Sequence, residues 1–276
     1  MAVLSQSIPH YLSPKGMAWS NNSCAYDLLF TPLFVLWCND KEGWRVRFQD
    51  IENDVALQLI DGFFQHERGE ISLEDARDHV RRTISRHHRG PGFGSFTSIE
   101  RVCEAVFTSS HLVRESYYLC PNNHCAHQSS TYEAFFHKGH SKFQSISEWI
   151  STTSEEISTR CATCQEQVRV EYVFRTAPPL LAFSFPDSAT HIDHTVELKL
   201  VGQTHHYQLA AVIYFREMDA HFVSYVITSD GQIWFYDRML YRSNPNMEYC
   251  GLLLRQPPQL DSCRGGQASV AIYARR

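Results

Sequence analysis

The pattern of apolar and polar positions predicts helices in the first third of the chain. Apolar residues recur at helical spacing from about Cys24 to Trp37, from Ile51 to Gln65 and from Leu73 to His87. Pro32 lies inside the first of these segments and predicts a kink there. Three helices are therefore expected before the glycine- and proline-containing loop Arg89–Phe96.

Two capping signals predict further short helices. Thr97 and Glu100 have the spacing of a capping box, and the helix that follows is expected to bury one apolar face. That face comprises Ile99, Val102, Cys103 and Val106. Cys103 is therefore expected to be a core thiol. Ser145 and Glu148 repeat the capping spacing, so a second short helix is predicted from there.

Beyond Val168, runs rich in β-branched and aromatic residues predict strands. Pro178 and Pro179 separate the first two runs. The predicted strands are Tyr172–Thr176, Leu180–Phe185, Thr195–Leu200, Tyr207–Phe215, His221–Thr228, Ile233–Tyr236 and Ala268–Arg275. A helical lobe followed by an antiparallel sheet is an α+β arrangement.

Composition and charge narrow the class of protein. The chain has 276 residues, of which 43% are hydrophobic and 20% charged, and its formal net charge is −5. This acidic balance argues against a nucleic-acid partner, for which a concentrated basic face is expected. The basic run Arg81–Arg89 is accordingly interpreted as a solvated helix face.

The apolar runs also indicate where in the cell the protein is expected. None approaches the length of a membrane span, and the N-terminal residues lack the pattern of a signal peptide. No membrane partner is therefore expected, and the protein is expected in the cytoplasm or nucleus, where thiols stay reduced. The chain has 9 cysteines, an odd number that fits poorly with a disulfide framework.

Four of the cysteines form two pairs with the spacing of metal ligands. Cys161 and Cys164 stand in a Cys-x-x-Cys sequence, and Cys120 and Cys125 form a looser pair. A Cys-x-x-Cys turn lets two thiolates approach one ion, and a second pair completes a tetrahedral shell. A structural zinc is therefore predicted, with two unrelated thiol-containing turns as the alternative. The residues that could replace Cys125 as a ligand are His124 and His127.

A hairpin signal far downstream joins a histidine and a carboxylate. His221 begins a predicted strand, Asp230–Gly231 is a two-residue turn signal, and Asp237 ends the returning strand. The open ends of such a hairpin are neighbours, so His221 and Asp237 are expected to lie close together. With its Nδ1–H on Asp237, the imidazole would keep Nε2 free to take a thiol proton.

Cys24 would supply the thiol. At the start of a predicted helix, its pKa is expected to be lowered by the helix N-terminus and by a nearby imidazolium. Asn22, with Asn21 behind it, would donate from a side-chain amide to a developing oxyanion, and the Cys24 backbone N–H would be the second donor. Each residue also has a purely structural interpretation: the asparagines as N-caps, Asp27 as a first-turn carboxylate, and His221 and Asp237 as strand and turn residues.

Five motifs, in their order along the chain, resemble those of the ubiquitin-specific protease family, whose members are papain-like cysteine peptidases. They are "NNSCAYD" as the cysteine box, "LCPNNHC" with "CATC" as the zinc-bearing fingers, "APPLLAFSFP" as the paired-proline strand, "YQLAAVIYFREMDAHFVSYVITSDGQIWFYD" as the histidine box and "VAIYAR" as the closing strand. The resemblance covers nearly the whole chain.

The resemblance implies one catalytic domain over residues 1–276, with a helical thumb at about 20–110, fingers at about 115–175 and an antiparallel β palm at about 176–276. It implies a thiol-dependent deubiquitinase that hydrolyses the isopeptide or peptide bond after the C-terminal glycine of ubiquitin. Cys24 would be the nucleophile, His221 the general base and Asp237 its orienter. Ubiquitin or a ubiquitin-like modifier and its conjugates would be the partners. The implied ligands of a structural zinc are Cys120, Cys125, Cys161 and Cys164.

Departures from the family's pattern leave alternatives open. Trp19 stands where the family usually has its asparagine donor, and Asn22 is taken as the substitute. Asp219 and Ala220 replace the glycine pair before the histidine, which reduces backbone freedom there. Glu100 is the candidate to meet the basic end of a modifier tail. The alternatives are a protease for another modifier such as SUMO, an inactive ubiquitin-binding pseudoenzyme, and a structural zinc-bearing interaction domain.

Overall fold

The computed structural model describes residues 13–87, 92–108, 113–122, 128–132, 136–138, 143–152, 154–185, 190–237, 239, 246–255 and 257–276. Three of the residues considered for metal binding, His124, Cys125 and His127, lie outside these ranges. All cysteines within them are free thiols. None of the helices in these ranges has the length and apolar character needed to cross a membrane.

Helices form the first part of the chain, as the apolar spacing predicts. They are α1 (Cys24–Asn39), α2 (Lys41–Gln49), α3 (Asp54–Glu67), α4 (Leu73–His87) and α5 (Ile99–Val106). The predicted bounds of α4 are confirmed, and α1 and α3 are confirmed with slightly shifted ends. α2 escapes the apolar pattern because it buries only Trp44 and Phe48.

The start of α5 differs from the predicted capping box. Ser98, and not Thr97, is the N-cap residue, and its hydroxyl accepts a hydrogen bond from the Arg101 N–H at 3.4 Å. The predicted core face is confirmed, since all four of its residues, including Cys103, are buried. Burial raises the pKa of the Cys103 thiol well above its usual value, as expected for an inert core cysteine.

The second capping signal is half confirmed. α6 (Ile146–Ser151) begins after Ser145, whose hydroxyl accepts the Glu148 N–H at 3.0 Å. The Glu148 carboxylate accepts the N–H of Gln144 and not that of Ser145.

The smaller of two sheets has the strand order β2-β1-β5-β4 and is antiparallel throughout. Its strands are β1 (Arg114–Leu119), β2 (Gln128–Tyr132), β4 (Ser154–Arg160) and β5 (Gln167–Phe174). Sequence analysis predicted only part of β5, because the other three strands are largely polar. The register places Leu119 opposite Arg169 and Arg160 opposite Gln167. Cys120 and Cys161, which follow β1 and β4, therefore leave the sheet at the same end.

The larger sheet has the order β11-β10-β9-β8-β13-β6-β3, with β7 paired to β8 and β12 to β13. Its strands are β3 (Phe136–Lys138), β6 (Leu180–Ser184), β7 (Thr195–Leu200), β8 (Gln203–Arg216), β9 (His221–Ile227), β10 (Gln232–Tyr236), β11 (Glu248–Leu252), β12 (Ser262–Cys263) and β13 (Gly266–Arg275). The predicted strands of this sheet are all present. The expectation of a purely antiparallel sheet needs correction, because β3 pairs in parallel with β6.

The turn between β9 and β10 is longer than predicted. Three residues separate Thr228 from Gln232, and the Thr228 N–H donates to the Gln232 carbonyl at 3.0 Å. Gly231 has φ +82°, the left-handed conformation typical of the last residue in a three-residue hairpin loop. The hairpin still brings its open ends together, so the prediction about His221 and Asp237 survives the change of turn.

α1 joins the helical part to the larger sheet. Its residues from Cys24 to Leu33 are all buried, and it packs against α4, α5, β8 and β9. Burial of each large apolar side chain contributes about 1.5–3 kcal/mol, so a helix covered on nearly every side is rigidly held. The N-terminus of α1 consequently has a fixed position against the start of β9.

Candidate active site

Cys24 is the first residue of α1 and lies at the bottom of a cleft. The side chain is only 8% exposed, and the backbone N–H groups of Ala25 and Phe222 face its thiol. Phe222 directly follows His221, so the predicted nucleophile meets the strand that carries the predicted base. Among the described residues, no hydrogen bond joins Cys24 to His221 themselves.

The thiol of Cys24 is not acidified in the way that the sequence predicts. Burial raises its pKa, and the Asp27 carboxylate adds to the rise, while the N–H groups of Ala25 and Phe222 oppose it. The helix terminus acts in the expected direction but is outweighed. A neutral thiol of this kind needs a base that removes its proton during attack.

His221 and Asp237 form a buried pair at the open end of the β9–β10 hairpin. The Nε2 atom of His221 lies 2.9 Å from the Oδ1 atom of Asp237, and both side chains are almost fully buried. The predicted assignment of the ring nitrogens is therefore wrong: Nε2, and not Nδ1, faces the carboxylate. Nδ1 is the nitrogen left to accept a proton from a thiol.

Asp237 has partners beyond the imidazole. Its Oδ1 also accepts the Met239 N–H at 3.0 Å, and its Oδ2 lies 3.2 Å from Nη1 of Arg216. Burial raises the pKa of Asp237, but the hydrogen bond and charge of His221 and the charge of Arg216 bring it below its usual value. The carboxylate therefore stays ionised and can stabilise an imidazolium.

Arg216 was not predicted as a site residue. It is the partner of His221 in the β8–β9 register, and it also pairs with Asp219 at 2.6 Å. Asp219 and Ala220 directly precede His221, and together with Glu217 and Met218 they form the turn between β8 and β9. Ala220 has φ +48°, a left-handed conformation that costs a residue with a Cβ atom about 1–2 kcal/mol. The pairing of Arg216 with both Asp219 and Asp237 helps to hold this turn against that cost.

The two asparagines before Cys24 have consecutive left-handed conformations, with φ +48° at Asn21 and +57° at Asn22. The Asn22 side-chain amide donates to the carbonyl of Gly94 at 2.8 Å, which uses one of its two N–H groups. Neither asparagine is the N-cap of α1, because Ser23 has that position. The role of Asn22 toward an oxyanion stays a prediction. Trp19, five residues before Cys24, is 41% exposed.

Asp27 is more than a first-turn carboxylate. It is fully buried, accepts the Ser23 hydroxyl at 2.6 Å and pairs with Nη1 of Arg77 on α4 at 2.7 Å. Burial raises the pKa of Asp27 to about 7, against the opposing effects of Arg77 and Ser23. Arg81, one turn further along α4, is only 2% exposed, which contradicts its interpretation as part of a solvated face.

A groove of about 440 Å³ opens onto Cys24. The residues that line it include Phe96, Ser98, Glu100, Phe215, Ala220 and Phe222. The rings of Phe215 and Phe222 are 4.9 Å apart and form an apolar wall, and Phe96 is 71% exposed at the rim. Glu100, the candidate contact for a basic tail, is thus in the same groove as the thiol.

Three cysteines could bind a metal at the end of the smaller sheet. The sulfur atoms of Cys120, Cys161 and Cys164 all lie within 4.8 Å of one another, and those of Cys120 and Cys164 are 3.1 Å apart. The hydrogen bond from Cys120 lowers the pKa of Cys164, which favours the thiolate that metals bind. The turn is closed by the Cys161 N–H, which donates to the Glu166 carbonyl at 2.8 Å. These donors fit a tetrahedral thiolate site that needs one more ligand.

Asp237→Asn is expected to reduce kcat/KM by about 10- to 100-fold, far less than loss of the nucleophile. An asparagine Oδ1 can still accept from Nε2–H, as it does in papain-like triads, but its amide would face the Arg216 cation. Asp237→Ala should cost about 10³-fold or more, because nothing then orients the ring. Steady-state kinetics on one conjugate substrate would compare the two variants, and equal losses would contradict the orienting role.

Comparison with solved structures shows that the fold is shared with cysteine proteases. The chain is similar to a SAGA Ubp8/Sgf11/Sus1/Sgf73 DUB module bound to ubiquitin aldehyde, with 10% identity, a TM-score of 0.58, and coverage of 99% of this chain and 73% of the other. It is similar to a yeast SAGA DUB module at 12% identity, with a TM-score of 0.56 and coverage of 99% and 72%.

The papain-like protease of Middle-East respiratory syndrome coronavirus is a further similar structure, at 13% identity with a TM-score of 0.51 and coverage of 95% and 66%. No family model and no curated protein matches the sequence. The mixed α/β fold of deubiquitinase and papain-like protease structures is therefore the fold of this chain.

Proposed function

We propose that the protein is a thiol-dependent deubiquitinase that hydrolyses the isopeptide or peptide bond after the C-terminal glycine of ubiquitin. The observation that carries this proposal is the buried His221–Asp237 pair beside the Cys24 thiol. The residue after His221, Phe222, directs its backbone N–H to that thiol. Similar structures include one with ubiquitin aldehyde bound, which supports ubiquitin as the modifier.

The proposed reaction has two halves. His221 takes the Cys24 proton at Nδ1 while the sulfur bonds to the carbonyl carbon, and the carbonyl electron pair moves to the oxygen. The backbone N–H of Cys24, with Asn22 or Asn21, would donate to that oxyanion. The C–N bond then breaks and the imidazolium protonates the leaving amine. Water, deprotonated by His221, attacks the thioester and releases the modifier acid and the free thiol.

The groove beside Cys24 suits the end of a modifier. Phe215 and Phe222 pack on each other as one apolar wall of this groove, and a segment with small side chains, such as terminal glycines, would let its main chain approach Cys24 along that wall. Glu100 would meet a basic residue further up the tail. The proposed architecture assigns α1 to α5 to a thumb, the smaller sheet to fingers and the larger sheet to a palm that together hold the folded body of the modifier.

The fingers would contain a structural zinc. Cys120, Cys161 and Cys164 would supply three ligands and Cys125 the fourth, with four protein ligands leaving no position for a reacting water. The metal would stabilise the end of the smaller sheet and take no part in the reaction.

Two probes test the function, ubiquitin and SUMO, each ending in a thiol-reactive electrophile. We expect the ubiquitin probe to add its mass to Cys24, and we expect no adduct when His221 is replaced by Ala, because the thiol then lacks its base. An adduct with the SUMO probe alone would transfer the proposal to that modifier. Binding without an adduct would support an inactive binding protein, and neither binding nor adduct would contradict the proposal.

A further inference from the structure

The loop before Cys24 is held by one face of α4. Glu74, Arg77 and Arg81 are spaced three and four residues apart, so their side chains lie on the same side of the helix. We call these three residues the α4 clamp. Arg77 and Arg81 are only 0% and 2% exposed. Arginine side chains are almost never buried to this extent unless they have partners for their charge and N–H groups.

The clamp contacts the loop residue by residue. Glu74 accepts the Ala18 N–H at 2.5 Å, and Arg77 donates to the Ala18 carbonyl at 2.5 Å and to the Ser20 hydroxyl at 2.6 Å. Arg81 donates from Nη2 to the Asn21 carbonyl at 2.6 Å and from Nη1 to the Ser20 carbonyl at 3.4 Å. Both arginines thus hold main-chain or hydroxyl oxygens of the segment that leads into the nucleophile.

The loop turns sharply just before Cys24, at the point where the clamp holds it. Asn21 and Asn22 are consecutive left-handed residues, a conformation that asparagine tolerates better than other residues with a Cβ atom and that leaves the direction of the next peptide groups to be set by their surroundings. The contact from Arg81 to the Asn21 carbonyl lies at the first of these residues. The Asn22 amide adds a second support through the Gly94 carbonyl.

The base of the loop is tied to the same helix. Arg77 pairs with Asp27, and the Ser23 hydroxyl donates to the other oxygen of Asp27. The Ser20 N–H in turn donates to Ser23 Oγ at 3.0 Å. A shift of α4 would therefore move the loop and the first turn of α1 together.

We propose that Arg81, with Arg77 beside it, is a positioning residue that fixes the oxyanion side of the active site. The inference rests on the proposed function, since it concerns the loop that would face the developing charge. Arg81 itself touches no reacting atom. It holds the Asn21 carbonyl so that the amide groups from Asn21 to Cys24 keep one orientation, which matters in the transition state and little for modifier binding.

Arg81→Met tests this proposal, with Arg81→Lys as the conservative variant and Arg86→Met as the control. Arg86 is exposed on the same helix. We expect Arg81→Met to lose about 10²-fold in kcat with little change in KM, the size of effect seen when one oxyanion donor is lost. Arg81→Lys should recover about tenfold, because its ammonium can reach one carbonyl but lacks the planar fork. Arg86→Met should behave as the wild type.

Ubiquitin aldehyde separates positioning from general structural damage. Cys24 adds to the aldehyde carbon, the thiol proton ends on the oxygen, and the tetrahedral adduct resembles the reaction intermediate. We expect Arg81→Met to weaken aldehyde binding by about as much as kcat falls, with unchanged affinity for free ubiquitin. Equal weakening of both ligands, or a loss confined to KM, would overturn the proposal. Inactive wild-type protein would instead refute the proposed function.

Arg81→Lys keeps the test decisive if Arg81→Met unfolds. The lysine variant retains the buried charge, so its thermal unfolding should match that of Arg86→Met. A folded Arg81→Lys protein with wild-type kcat and wild-type aldehyde affinity would also overturn the proposal.

Discussion

Replacing Cys24 with Ala is expected to abolish turnover of modifier conjugates and to leave modifier binding largely unchanged. In serine peptidases the nucleophile, base and orienter act as a unit, and loss of the nucleophile alone costs on the order of 10⁶-fold in kcat; we expect a loss of similar order here. Cys24 is 8% exposed at the bottom of the groove, so removing one sulfur atom changes little of the binding surface. Hydrolysis of a modifier fused to a fluorescent amide would measure the loss.

A matched control distinguishes this effect from general thiol chemistry. Cys38 is an exposed free thiol near the other end of the same helix. Cys38→Ala should keep full activity and full labelling by the ubiquitin probe. Turnover that survives in Cys24→Ala, or disappears in Cys38→Ala, would remove Cys24 from the proposed mechanism.

The sequence predicts this site only in part, because it encodes spacing more directly than orientation. The hairpin signal at Asp230 and Gly231 correctly brings His221 to Asp237, since strand ends meet whatever the exact turn. Which ring nitrogen meets the carboxylate depends on the side-chain rotamers of both residues. No local pattern specifies these rotamers, and the prediction of Nδ1 was wrong for that reason.

The fold, like the site, is predicted from the sequence only in part. The bounds of α4 and β7 follow from strong periodicity and are predicted at the residue level. β2 and β4 are polar segments whose pairing is set by neighbours distant in sequence, so no apolar pattern marks them. The sequence could have indicated that Arg77 and Arg81 are buried. Each directly follows an apolar residue of α4, Ala76 or Val80, and both of these residues are buried. The charge of Arg81, as part of the basic run Arg81–Arg89, led to its interpretation as a residue of a solvated face.

Removal of metal is expected to unfold or loosen the smaller sheet. Metal analysis of purified protein should find one zinc per chain, and a strong chelator should lower the unfolding temperature. Structural zinc contributes about 10 kcal/mol or more of folding free energy in small zinc-binding peptides, because the unfolded chain has no preformed site. Here Cys120 and Cys161 close the same end of β1 and β4, so hydrogen exchange should rise in those strands.

The location of the change makes the zinc prediction specific. α1 and β9 are packed in a separate core with the larger sheet, so their amides should stay protected when the metal is removed. Cys164→Ser should reduce the zinc content and reproduce the exchange pattern of the chelated protein. Cys250→Ser, on β11 of the larger sheet, should do neither. Zinc-free purified protein with an ordered smaller sheet would leave the three sulfurs as a thiol cluster and contradict the metal site. Because this site and Cys24 lie in different parts of the fold, labelling of Cys24 by the ubiquitin probe would remain informative in either case.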